Sequence, residues 1–323
     1  MKTHPFGPIG HVSTLTLGGG GLGQLWGATT RAECVATVKA AVDAGIALID
    51  LAPRYGDGKA EQVLGEAFGG RLPAGVRVTS KCNLGNPPKE GIERILRQSI
   101  EASLRLTQLD RLDVFFLHSN IVPDGDAMWQ REDTSRFVPL PVFEQTIRPL
   151  FERFVREGLI GAWGVTGIGH PDAIVQVLRG DPKPAVVQVI ANLLDSPGGL
   201  KFFDGPARPR EIMRVAHEQG VAVMGIRAVQ AGALTAAIDR PLSADHPEVL
   251  DYARAAGFRA LCVELGENPA VLAHRYALGL EIDTLVLGVK NRVELAECVA
   301  AAEAGPLTAE VMARIDMSVS GLP

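Results

Sequence analysis

Tyrosine and tryptophan are scarce in this chain of 323 residues, three of each, and aromatic residues make up only 5%. Cysteine is scarce too: Cys34, Cys82, Cys262 and Cys298 are widely separated, with no CxxC pair. That spacing gives no disulfide framework and fits separate free thiols in a reducing, cytoplasmic setting. Cys82, next to Lys81, is the one thiol whose neighbour suggests reactivity. No apolar run approaches the roughly 20 residues that span a bilayer. The opening MKTHPFGPIGHVS lacks the long apolar core of a signal peptide. Neither sign of charge dominates, and the net charge of −5 argues against general binding to nucleic acid or to an anionic membrane. No linker, charge block or low-complexity segment marks a second domain, so residues 1–323 read as one unit.

Apolar residues make up 46% of the chain, enough for a large buried core. Short β-type apolar runs recur at 14–17, 47–51, 77–80, 113–117, 161–165, 185–190, 221–225 and 284–287. Helical patterns fall between them at 31–44, 60–68, 90–106, 141–157, 171–179, 209–219 and 269–280. Thr30 with Glu33 forms a capping-box signature, and Pro171, Pro209 and Pro269 suit first helical turns. Eight strands alternating with helices predict an α/β fold, a single (β/α)8 TIM barrel. Its N-terminal segment is expected to close the barrel bottom, with added helices near the C-terminus. Two stretches break the rhythm. Segment 119–140 is too long for an ordinary connection and reads as a lid or substrate wall. Segment 236–266 carries extra helix and no evident chemistry.

Four proton-handling residues sit where apolar runs stop. Asp50 and Lys81 end strands, His118 follows DVFFL, and Tyr55 lies in the APRYGDG loop after Asp50. Carboxyl ends of parallel barrel strands converge on one mouth, where active sites are built. Asp50 and Lys81 there suit a desolvated ion pair. A nearby ammonium favours the phenolate, so Lys81 is expected to lower the Tyr55 pKa towards the range of a general acid. Gly18, Gly20 and Gly23 satisfy GxGxxG, but the helix that should meet a pyrophosphate starts only near Thr30. The glycines read instead as a turn at the barrel mouth where backbone passes close to something. Gly23 stands among the candidate cofactor contacts.

The stretches IDLAPRYGDGKAEQVLGEA, VTSK, FFLH, WGVTG, VQVIANL and LVLGVKNRVELAECV together resemble the aldo-keto reductases, NAD(P)H-dependent enzymes on a (β/α)8 barrel. The resemblance runs from about Leu15 to Ala301. It implies a catalytic set of Asp50, Tyr55, Lys81 and His118. In that set Tyr55 donates a proton to the carbonyl oxygen as hydride arrives, Lys81 paired with Asp50 tunes Tyr55, and His118 orients the substrate.

The same resemblance implies cofactor contacts. Gln188 matches a glutamine that bonds the nicotinamide carboxamide. Thr166 stands where the family usually has serine, and Gly167 where it usually has asparagine. Ile226 and Arg227 occupy the region of a stacking tyrosine; Arg227 stacks, holds a phosphate, or serves as a structural ion-pair partner. The turn containing Gly232 and Leu234 would run along the pyrophosphate. Gly288, Lys290 and Glu297 match the adenosine end, where Lys290 or Arg292 would neutralise a 2′-phosphate. Glu294 departs from the family there, as an acid that repels that phosphate, and Cys298 replaces a common asparagine. The expected cofactor is NADPH, with NADH the alternative. Trp26 and Trp129, with Phe137, are expected to wall the substrate pocket. No metal is implied. The expected partner is a small carbonyl compound reduced to its alcohol. Two rivals stand beside that reading: a sugar or alcohol dehydrogenase using the same site oxidatively, and a cofactor-sensing regulatory subunit with little turnover.

Overall fold

A computed structural model of the chain describes residues 1–85, 87–126 and 134–319. The strands are β1 (Thr3–Pro5), β2 (His11–Ser13), β3 (Leu15–Gly18), β4 (Leu48–Asp50), β5 (Arg77–Cys82), β6 (Leu112–Leu117), β7 (Asn120–Val122), β8 (Phe137–Pro139), β9 (Ile160–Thr166), β10 (Val186–Ile190), β11 (Ala222–Ile226) and β12 (Thr284–Leu287). Eight of them close a barrel in the order β10-β11-β12-β3-β4-β5-β6-β9. Every neighbouring pair in the barrel is parallel, as the helices between strands require. The expected (β/α)8 barrel is therefore the observed fold. Each expected run has its strand, with ends that differ by a residue or two.

Strand periodicity decides what reaches the interior, since alternate side chains face opposite sides. In β6, Val114 and Phe116 point inward, while Phe115 and Leu117 join the layer between strands and helices. In β4, Leu48 packs inside and Ile49 outside, so Asp50 returns to the interior. In β5, Val78 packs outside and Thr79 reaches the inward Asp50. Lys81 therefore shares the inner face with Thr79. Continuing β6 by one residue past the outward Leu117 brings His118 inward.

The N-terminal hairpin β1–β2 plugs the barrel. Its Phe6 and Val12 are fully buried and pack with Leu48, Val114 and Phe116. Burial of a side chain of this size contributes roughly 1.5–3 kcal/mol. The added helices Ala256–Leu265 and Ala309–Val319 build a second core around Phe258, Tyr276 and Ile315, while the added helix Pro247–Arg254 buries Glu248 and Asp251. Within segment 119–140, β7 and β8 pair in parallel immediately after His118. Among the described residues no helix is long and apolar enough to cross a membrane.

Candidate active site

Lys81 is fully buried, and its Nζ stands 2.5 Å from Asp50 Oδ1. It also donates to the Leu51 carbonyl at 2.8 Å. The same Asp50 oxygen accepts from Thr79 Oγ1 at 2.6 Å and from Gln188 Nε2 at 2.9 Å. Three donors on one carboxylate oxygen give the buried charge the hydrogen bonds that make such burial tolerable. Burial pushes the Lys81 pKa down, and Asp50 acts against it.

Tyr55 comes from the turn after β4, and the glycine run explains its position. A Cβ on Gly23 would stand 2.5 Å from the Tyr55 carbonyl oxygen. One on Gly56, whose φ is +67°, would stand 2.5 Å from the Gly23 oxygen. Only glycine lets the two backbones meet at that distance. Gly19–Leu22 forms one helical turn against this loop, so the run seats Tyr55 rather than opening a phosphate-binding helix.

The Tyr55 and His118 rings meet edge to face, with centroids 6.1 Å apart and planes at 89°. Lys81 Nζ lies 5.3 Å from the Tyr55 ring centroid. The expected lowering of the Tyr55 pKa does not hold in this cavity. Burial and then the Asp50 charge raise it, because Lys81 is held by Asp50 and Leu51 and its charge does not stand free beside the phenol. Tyr55 is thus a protonated donor at neutral pH. Burial, followed by the charges of Lys81 and Arg54, pushes His118 down to about 3, so its imidazole is neutral. Its Nδ1 is buried and has no hydrogen-bond partner among the described residues. The site presents a neutral phenol and a neutral imidazole above an internally compensated ion pair.

These residues open into a cavity of about 620 Å³, of a size typical for small-molecule and cofactor sites. Trp26, Thr166, Gln188, Arg227, Gly232, Gly288, Lys290 and Glu297 all line it. Gly23, Leu234 and Arg292 do not. Gly23 faces the Tyr55 loop, Leu234 is buried in the second core, and Arg292 turns outward to hold Glu33 at 3.0 Å. Arg227 is a structural ion-pair partner. It holds Glu248 at 2.7 Å and Gln230 at 2.9 Å, which leaves Ile226 to present an apolar side chain to the cavity. Lys290 bonds Asp239 at 2.8 Å and pairs with Glu294 at 3.4 Å. Trp129 lies outside the described residues, as does Met128. Cys82 is not a reactive thiol: consecutive strand residues face opposite ways, so Lys81 does not activate it, and burial pushes it up to about 11.

Sequence reasoning missed Arg54, Asn120, Arg136 and Phe202 on the cavity wall. Arg54 had one usable signal, its place directly before Tyr55. The donor set fits a nicotinamide dinucleotide. The Gln188 amide nitrogen is fixed by Asp50, which turns the side chain's carbonyl oxygen into the acceptor left for a carboxamide. Thr166 adds a hydroxyl beside it, and Gly232 and Gly288 offer bare backbone further along the same cavity.

Comparison with known proteins agrees with this fold. The model of the Aldo/keto reductase family matches residues 14–319. L-galactose dehydrogenase of Arabidopsis thaliana is 27% identical over 297 residues, covering 90% of this chain and 84% of that protein. Methylglyoxal reductase YeaE of Escherichia coli is 33% identical over 145 residues, covering 45% of this chain and 43% of its own. Among solved structures, aldo-keto reductase AKR11C1 from Bacillus halodurans superposes with a TM-score of 0.70 at 22% identity, covering 100% of this chain and 97% of the other. An aldo-keto reductase from Klebsiella pneumoniae in complex with NADPH superposes at 0.69 with 23% identity, covering 98% and 94%.

Proposed function

The chain belongs to the aldo/keto reductase family, a family of NAD(P)-dependent oxidoreductases, and from that premise we propose that it reduces an aldehyde or ketone to the alcohol with Tyr55 as the general acid. A bound nicotinamide cofactor supplies the hydride, which adds to the carbonyl carbon. Tyr55 gives its phenolic proton to the carbonyl oxygen, so that C=O becomes CH–OH. Neutral His118 donates a second hydrogen bond to that oxygen and fixes its direction, which stabilises the negative charge developing there. Asp50 holds Lys81 beneath the Tyr55 ring and Gln188 beside it, so one carboxylate orders both the proton-transfer and the cofactor side of the site.

The edge-to-face Tyr55–His118 pair above the buried Lys81–Asp50 bridge carries this reading. Burial and then Asp50 keep Tyr55 protonated at neutral pH, so the phenol holds the proton that reduction of a carbonyl consumes. NADPH is the proposed cofactor, with NADH accepted. The NADPH complex of the Klebsiella pneumoniae neighbour supports the first, and the pairing of Lys290 with Asp239 and Glu294 leaves room for the second. A second reading, oxidation of a sugar or alcohol, is favoured by the match to L-galactose dehydrogenase over most of its length. Incubation with a panel of aldehydes and NADPH or NADH tests the proposal. Equimolar loss of reduced cofactor and gain of alcohol is expected. Turnover only of alcohols or sugars with the oxidised cofactors sinks the reductive reading.

A further inference from the structure

Five arginine and lysine side chains line the cavity, and three of them are neutralised within the protein. Arg227 holds Glu248 at 2.7 Å, while Lys290 and Arg240 face Asp239 at 2.8 and 3.6 Å. The other two are Arg54 and Arg136, and among the described residues neither forms an ion pair. Both stand at the catalytic end. Arg54 directly precedes Tyr55 in the chain, and its charge acts on His118. Arg136 is placed by its own backbone: its carbonyl accepts the N–H of Asn120 at 2.7 Å, two residues beyond His118. Its guanidinium stands 5.4 Å from the centre of the Phe202 ring, itself part of the cavity wall. Asn120, only 5% exposed, lines the same end, and among the described residues no hydrogen bond reaches its carboxamide. Among the described residues lining this end the acid is Asp50, which is buried and held by Lys81.

We propose that Arg54, Arg136 and Asn120 form an anion subsite, so that the natural substrate is a carbonyl compound bearing a carboxylate or phosphate group. The inference rests on the reductive reading of the site and names its substrate class. Two guanidinium groups with no acid partner among the described residues, and an amide with no hydrogen bond among them, provide the donors an oxyanion needs, and guanidinium geometry suits either anion bidentately. The protein as a whole carries a net charge of −5 and repels anions, so two uncompensated cations at the mouth of the reaction cavity are a local exception. With the anionic group on the arginines, the carbonyl end of the same molecule faces Tyr55 and His118.

Paired aldehydes that differ in charge test this. Succinate semialdehyde is compared with butanal, and glyceraldehyde 3-phosphate with glyceraldehyde, as kcat/KM with the preferred cofactor. The anionic member of at least one pair is expected to be favoured by about tenfold or more, and the pair that shows it separates carboxylate from phosphate. The variants R54M and R136M should each lower that ratio roughly fivefold, and R136K should keep part of it. Tryptophan fluorescence, with Trp26 in the cavity wall, gives a readout independent of turnover. Succinate or inorganic phosphate, matching the favoured pair, should quench it saturably in the wild type and weakly in R136M. Reduction of the neutral aldehydes as efficiently as the anionic ones, or ratios unmoved in both methionine variants, overturns the subsite and leaves the reductase standing. No reduction of any of the four, with the alcohols oxidised instead, overturns both.

Discussion

Gly23 and Tyr55 touch through backbone alone: a Cβ added to Gly23 would stand 2.4 Å from the Tyr55 carbonyl carbon. Neither group has a flexible side chain with which to yield. Substitution Gly23→Ala should therefore shift the Tyr55 loop and misplace its phenol. A misplacement on the order of 1 Å costs about 100-fold in rate. The expected outcome is a large fall in kcat, with cofactor affinity changed much less. Steady-state kinetics alongside cofactor titration checks it, and wild-type kcat in the variant would mean the contact does not position Tyr55.

The Lys81–Asp50 bridge should be structural as well as catalytic. Removing one partner, as in Lys81→Met, leaves a buried carboxylate with no countercharge, at a cost of about 3–5 kcal/mol. Replacing both, as in Asp50→Leu with Lys81→Met, should recover much of that stability while activity stays lost. Urea denaturation of the single and double variants measures the difference. A double variant less stable than either single would contradict it.

His118 makes stability depend on pH with a definite sign. Its folded pKa, about 3, lies below the ordinary 6.5, so the unfolded chain binds the proton first. Stability contributed by this group is whole above about pH 6.5 and falls as the pH drops towards 3, by about 1.4 kcal/mol per unit. His118→Asn should show a shallower decline over that window. Denaturation midpoints taken between neutral pH and pH 4.5, about the middle of the window, report it; parallel slopes in the two proteins would show that His118 is not the group responsible.

Glu294 bears on the choice of cofactor. It accepts the Lys290 backbone N–H at 2.8 Å and pairs with the Lys290 ammonium at 3.4 Å, so the cation nearest the adenosine end is already engaged. Glu294→Gln should remove a repelling charge while Lys290 stays on Asp239, raising affinity for NADPH relative to NADH by about fivefold. Fluorescence titration with both cofactors measures the ratio. An unchanged ratio would place 2′-phosphate recognition elsewhere.

The barrel and the identity of its mouth residues were legible because they rest on period and position. Asp50 and Lys81 follow inward residues by two, and that arithmetic survives folding. The sign of the Tyr55 shift was not legible, because it depends on how deeply the phenol is buried and on which acceptor holds Lys81. Arg292 illustrates a different loss: it stands where a 2′-phosphate contact is expected, yet its partner Glu33 lies 259 positions away in sequence. Arg136 sits in a long polar segment where a charge has no signature until the opposite wall, Phe202, is known. Gly23 carried its signal in a familiar motif, but the motif's spacing names the glycines without saying what approaches them.

The central claim is that Tyr55 supplies the proton. Tyr55→Phe removes one oxygen and leaves the ring packing against His118 in place. Its kcat for an aldehyde accepted by the wild type should fall at least about 100-fold, while cofactor affinity stays within about twofold. A variant that reduces the same aldehyde at near wild-type rate would contradict the account at its root.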